Sequence, residues 1–278
     1  MTSNNATLTD NLRLQAKDVR KELLKMIYTA QSGHPGGSLS ATDVMTALYF
    51  HEMTIDPQNP KWDERDRFVL SKGHVCPVLY TCLGLRGFFD REVMGTLRRY
   101  DSILQGHPDM KKCPGIDIST GSLGQGLSVA AGMALRCKRD KMRYRVFVLI
   151  GDGECNEGQI WEAVQTAVKY KLDNLIILVD ANRLQNDGFC EDVMPSGDLV
   201  KKFTAFGCQA SIIDGHCMDE IVSALEKTRN PEISSPFCLV LRTVKGKGVS
   251  FMENVVSWHG TAPNREQYLQ AIKEIEEA

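Results

Sequence analysis

Arg145-Val146-Phe147-Val148-Leu149-Ile150, followed at once by Gly151-Asp152-Gly153, is the segment from which the architecture can be read. A short apolar run rich in valine and closed by glycine reads as a strand buried on both faces. Ile160, Trp161, Val164, Ala167 and Val168 then recur at helical spacing, and a second apolar run, Leu175-Ile176-Ile177-Leu178-Val179, ends at Asp180. Strand, helix and strand in that order make a right-handed parallel crossover. Further on, 208–213 and 237–244 read as strands and 218–228 as a helix. The predicted fold class is therefore α/β, a mainly parallel sheet with helices on both faces.

Working outward, Leu12, Ala16, Val19, Leu23, Ile27 and Ala30 lie on one face of a long helix, with Asp10 as N-cap and Gly33 as its stop. Residues 33–38 carry too much Gly and Pro for a helix, and 40–50 reads as the next one. Residues 59–71 read as a charged loop ending in Phe68-Val69-Leu70. Residues 80–100 read as a helix broken at Gly84 and Gly87, 121–137 as a Gly/Ala-rich helix suited to close packing, and 264–278 as a polar helical tail. No internal repeat or linker stands out, so 1–278 is expected to form a single domain.

The chain has 278 residues, a formal charge of −2 and 42% hydrophobic residues, enough for a sizeable core. The near-neutral balance gives no electrostatic reason to expect nucleic acid or an anionic membrane as partner. The nine cysteines include no C-x-x-C pair, which argues against structural zinc and for reduced, buried thiols in a cytoplasmic protein. The polar start lacks the pattern of a signal peptide, and no apolar run approaches the roughly 20 residues needed to span a bilayer.

In open α/β sheets ligands bind beyond the C-terminal ends of the strands. Asp152 follows one strong strand and Asn182 the next, so a carboxylate and an amide oxygen emerge at one sheet edge. Both are hard ligands that suit magnesium. Gly151 and Gly153 let the backbone approach a phosphate, and a helix starting after Gly153 would offer it free N–H groups. On their own these residues leave a second reading open, because Gly-Asp-Gly and Asn182 also serve as ordinary turn punctuation.

The order of motifs goes further. Gly33-His34-Pro35-Gly36-Gly37, Asp66-Arg67-Phe68-Val69-Leu70-Ser71-Lys72-Gly73-His74, Gly106-His107-Pro108, Thr120-Gly121-Ser122-Leu123-Gly124-Gln125-Gly126, Gly151-Asp152-Gly153 with Asn182, and Trp258-His259-Gly260 occur in register. In this the sequence resembles the thiamine-diphosphate enzymes, and the transketolase family in particular, over roughly 12–260. The resemblance implies thiamine diphosphate as cofactor with Mg2+ (or Ca2+), the metal held by Asp152, Asn182 and the backbone carbonyl of Leu184. It implies that His74, Gly121, Leu123, Gly153, Asn182 and His259 contact the cofactor, and that His34, His107 and His259 face the reacting carbon and the substrate hydroxyls. The activity implied is transfer of a two-carbon ketol unit from a ketose phosphate to an aldose phosphate. Imidazoles suit the proton traffic this needs near neutral pH. Glu157 resembles an acidic residue at the family's dimer contact.

Ser122 stands where many transketolases have proline, and Arg183 where many have histidine. Nothing here resembles the family's pyrimidine-binding domain, so the expectation is a partner subunit carrying it, in an α2β2 assembly. The alternatives are ketol transfer on an unusual sugar phosphate (apiose-derived or a sulfo-sugar), a deoxyxylulose-phosphate synthase-like subunit, or a non-catalytic remnant. His51 and His216 lack motif neighbours and are assigned to surface or core, as Trp161 is to core. Lys245-Gly246-Lys247-Gly248 is either a phosphate contact or a solvated turn.

Overall fold

The structure is a computed structural model that describes residues 2–230, 232 and 234–278, with side chains from Thr7 onward. In chain order the elements are α1 (Thr2–Ala30), α2 (Pro35–Ser40), α3 (Thr42–Ala47), β1 (Arg67–Leu70), α4 (Cys76–Arg86), α5 (Gln125–Arg139), β2 (Val146–Gly151), α6 (Gly158–Lys169), β3 (Leu175–Ala181), α7 (Cys190–Val193), α8 (Leu199–Ala205), β4 (Gln209–Asp214), α9 (Met218–Lys227), β5 (Phe237–Arg242) and α10 (Arg265–Glu277). The sheet has the order β1-β2-β3-β5-β4, and every pairing in it is parallel.

Side chains alternate across this sheet, so each strand feeds two cores. Phe147, Leu149, Ile176, Leu178, Leu239 and Leu241 pack with residues of α1, α3, α4 and α9. Val146, Val148, Ile150, Ile177, Val179, Cys238 and Val240 pack on the other face with residues of α5, α6 and α8. Burial on both faces is why the strands read as continuous apolar runs.

Several local expectations change. Asp10 lies inside α1, where it pairs with Arg13 at 2.6 Å and caps nothing. The helix ends at Ala30, before Gly33, as the chain turns through Gln31 at φ 48°. The Gly/Pro segment is helical from Pro35, because proline at the first helical position loses no hydrogen bond and its fixed φ suits a helix start. The 40–50 helix is instead α3, continued by a π-turn over Leu48–Glu52.

Phe68-Val69-Leu70 belongs to β1, paired with β2, so the charged segment ends in a strand. Gly84 does not break α4, which stops at the left-handed Gly87. Residues 121–124 precede α5, since Gly124 takes φ 84° as its N-cap. A short 3-10 turn (Gly153–Asn156) separates β2 from α6, so the α-helix expected straight after Gly153 begins at Gly158. The C-terminal tail is helical, with a capping box between Asn264 and Gln267.

No helix among the described residues is long and apolar enough to cross a membrane. The cysteines are all free thiols, and all but Cys217 are buried.

Candidate functional site

The tips of β2 and β3 lie side by side, with Gly151 opposite Asp180 in the ladder. Asp152 extends the first tip. Its Oδ1 accepts from Gly153 N at 2.8 Å and its Oδ2 from Arg183 N at 2.6 Å, so it clasps the neighbouring tip. Asn182 extends the second, its Oδ1 accepting from Leu184 N at 3.1 Å. Asp152, Asn182 and Leu184 line one cavity of about 340 Å³, together with Gly37, Lys72, His74, Leu123, Gly153, Lys245 and His259.

Two of the predicted histidines, His74 and His259, line this cavity, and His34 packs against both rings. The rings of His34 and His74 lie 5.2 Å apart, those of His34 and His259 5.4 Å, and those of His74 and His259 5.2 Å and nearly parallel. His107 stands further out, packed against Gly121, where an added Cβ would sit 3.1 Å from the ring. Gly121 does not join the cavity and lines a separate shallow groove with Thr120 and Gln125. Leu123 and Gly153 do line it, and Glu157 sits exposed at its rim.

Four residues that the sequence left unassigned also belong to the site. Lys245 is only 2% exposed, which removes the solvated-turn reading. Its Nζ donates to the carbonyls of Leu184 and Gln185 at 3.1 Å and lies 2.8 Å from His259 Nδ1. Lys72 is buried and pairs with Asp180 at 2.6 Å. Glu154 is buried and accepts from Ser71 Oγ, from Gly124 N at 2.8 Å and from Gly151 N at 3.1 Å, tying the α5 entry to both strand tips. Arg98 places Nη2 3.4 Å from His34 Nδ1 and donates to Gly106 O, while its Nε has no partner. A signal for Lys72 and Lys245 existed, since each follows a strand on the ligand-binding edge; with 59–71 read as loop, Lys72 had no strand to follow.

His51 is exposed. His216 accepts from Val244 N through Nε2 at 2.8 Å, which leaves its proton on Nδ1, 2.8 Å from Asp43. It is a structural residue. Trp161 stacks on Phe203 and Phe206 in the core.

Burial, and then the cations, keep the imidazoles neutral. Burial and the Arg98 guanidinium lower His34 to about 4. Burial and Lys72 lower His74 to about 2, and burial and Lys245 lower His259 to about 3. His107 is lowered by burial and by Arg98. Burial and Lys72 bring Lys245 down to about 8.

The unfolded chain takes up protons at these histidines below about pH 6.5, whereas the folded chain does not until far lower. Unfolding free energy measured in urea is therefore expected to fall between about pH 6.5 and about pH 4.5. Asp152 and Glu154, both raised chiefly by burial, work in the opposite sense at the acid end and flatten the loss there. Equal stability at about pH 7 and about pH 5 would contradict neutral, buried imidazoles.

The donor set fits a hard divalent cation. Residues that carry a carboxylate, an amide oxygen and a peptide carbonyl line one cavity. Burial and the neighbouring Asp180 push the Asp152 carboxyl up, a cost that a bound cation would relieve. Gly37 makes the opposite wall: a Cβ there would lie 2.6 Å from Val75 Cγ1. Gly37→Ala is expected to cost about 1–3 kcal/mol of stability through overpacking, read from the urea midpoint. A midpoint equal to wild type would show that the wall yields.

Residues 12–275 match the sequence model of the family described as "Transketolase, thiamine diphosphate binding domain". The chain belongs to this family. It is 45% identical to one subunit of the apulose-4-phosphate transketolase of Phocaeicola vulgatus, over 96% of this chain and 95% of that one. It is 46% identical to a 6-deoxy-6-sulfo-D-fructose transketolase subunit of a Clostridium species, covering 96% of each. The crystal structure of Campylobacter jejuni transketolase superposes with a TM-score of 0.90 at 32% identity, over 95% of this chain but 42% of that one. The mainly parallel α/β fold expected from the strand pattern is thus the observed one, and the chain carries the transketolase thiamine-diphosphate-binding domain that the motif resemblance implied.

Proposed function

We propose that this chain is the N-terminal subunit of a heteromeric transketolase, which holds the metal-bound diphosphate of thiamine diphosphate and acts with a second subunit in an α2β2 assembly. The observation that carries the reading is the meeting of Asp152, Asn182 and the Leu184 carbonyl with His74 and His259 around one cavity. The two relatives named as subunits, which this chain matches over nearly their whole length, support the partner.

In this reading Asp152, Asn182 and Leu184 O would hold Mg2+, with Ca2+ as a substitute, and Lys245 would face the diphosphate. Leu123 would pack against the cofactor. When bound, thiamine diphosphate supplies the carbon that carries the two-carbon unit. The residues of this chain bind and orient around it. His34, His107 and His259 would serve the donor and acceptor hydroxyls; with Nδ1 facing Arg98 and Lys245, His34 and His259 keep their proton on Nε2, ready to donate to a developing alkoxide. Arg98 would hold the His34 ring in place. Glu157, exposed at the rim, would face the partner.

The names of the relatives favour an unusual sugar substrate over the common pentose and hexose phosphates. The test is a donor and acceptor screen with the chain, its partner, Mg2+ and thiamine diphosphate, including apulose 4-phosphate and 6-deoxy-6-sulfofructose. Two-carbon transfer to an aldose phosphate is the expected result. Release of carbon dioxide from pyruvate would instead place the protein with the deoxyxylulose-phosphate synthases.

A further inference from the structure

Asp180 is fully buried, at 0% exposure. It stands two residues beyond Leu178 and four beyond Ile176 along β3, so its side chain shares their face, the α1–α4 side of the sheet. Four groups converge on it there. Oδ2 accepts from Ser40 Oγ at 2.6 Å, from Lys72 Nζ at 2.6 Å and from Asn182 Nδ2 at 3.1 Å, and Oδ1 accepts from Thr243 Oγ1. These donors come from the end of α2, the segment after β1, the tip of β3 and the segment after β5.

An ionised carboxylate only accepts hydrogen bonds. The half of the Asn182 amide that faces Asp180 must therefore be its NH2 group. The amide oxygen is left on the opposite side, where it accepts from Leu184 N at 3.1 Å and opens on the cavity. A neutral partner at position 180, able both to donate and to accept, would no longer hold the NH2 end and would leave the Leu184 N–H as the constraint on the oxygen end. The lysine matters in the same way. Its Nζ lies 2.6 Å from Oδ2, an ion pair in which the carboxylate oxygen can only accept.

We propose that Asp180, ion-paired with Lys72, is a positioning residue that holds the NH2 end of the Asn182 amide and so keeps its oxygen toward the metal. This rests on the reading of Asn182 as a metal ligand. Outer partners of this kind set the orientation of a ligand without touching the ion.

The test is a double-mutant cycle on the full chain, with Mg2+ titrated calorimetrically in the presence of thiamine diphosphate. Asp180→Asn is expected to weaken Mg2+ binding by about 10–100-fold. In an Asn182→Asp background the side chain presents oxygen in either orientation, and removing Asp180 also removes a like charge. There the same Asp180→Asn change is expected to leave affinity within about twofold or to strengthen it. An equal loss in both backgrounds would mean that Asp180 acts through charge or general structure and would overturn the proposal, as would no loss in the Asn182 background. If Asp180→Asn strands the buried Lys72 and the chain unfolds, the paired Lys72→Met/Asp180→Asn change takes its place in the cycle. Asp152→Ala separates the two levels. If wild type binds no Mg2+, or Asp152→Ala binds it equally well, the metal reading fails and the proposal with it. Dependence on Asp152 without coupling between 180 and 182 sinks the proposal alone.

Discussion

Asp152→Ala is expected to weaken Mg2+-dependent binding of thiamine diphosphate by about 100-fold or more, since it removes the one anionic ligand while outer-sphere changes already cost about 10–100-fold. The same substitution frees Gly153 N and Arg183 N from their acceptor. Both bonds are only partly buried, so water can replace the carboxylate and the loss stays below that of a fully buried donor left unpaired, about 1–3 kcal/mol. Relief of a carboxyl that burial and Asp180 push upward offsets part of that cost. Stability should therefore drop far less than affinity does. Calorimetric titration of the cofactor with Mg2+, repeated with a chelator, separates the two effects when set beside urea unfolding. Wild-type affinity in the variant, or no chelator effect in the wild type, would reject the metal role.

The second large effect concerns the partner. Leu123 and Met194 line the cavity at 39% and 57% exposure, and Phe189 and Val193 nearby are exposed as well. In the proposed assembly these exposed apolar side chains are the surface that a second chain would cover. The proposed partner would close that mouth and bring the general acid–base groups of the pyrimidine domain. Its addition is expected to raise ketol transfer by about 10²–10⁴-fold, the range such a group contributes. A coupled assay across a titration of partner, with sedimentation of the mixture, gives both the rate and the assembly. Full turnover by this chain alone would defeat the two-subunit reading.

Much of the site is legible in the chain because strand tips are local events. The runs 146–151 and 175–179 are apolar and are followed within three residues by a carboxylate and an amide, so period and punctuation sufficed to place Asp152 and Asn182 on one edge. His34, His74 and His259 needed more. They come from three loops far apart in sequence, and motif resemblance rather than spacing named them. Glu154, one residue past the glycine of the motif, was passed over because its hydrogen-bond partners lie at Ser71, Gly124 and Gly151.

By itself the amino-acid sequence determined the parallel α/β class and the two strand tips, and its motifs named the three histidines whose rings meet, since each follows from local periodicity or from short contiguous motifs. The tertiary structure alone decided that Lys245 is buried against Leu184, that Gly121 falls outside the cavity that holds Leu123, and that Lys72 and Asp180 meet between strands. The physical reason is the same in each case. Burial and charge pairing depend on which distant segments the sheet brings together, and a charged side chain that looks solvated in the chain becomes interior only once its counter-ion arrives from another strand.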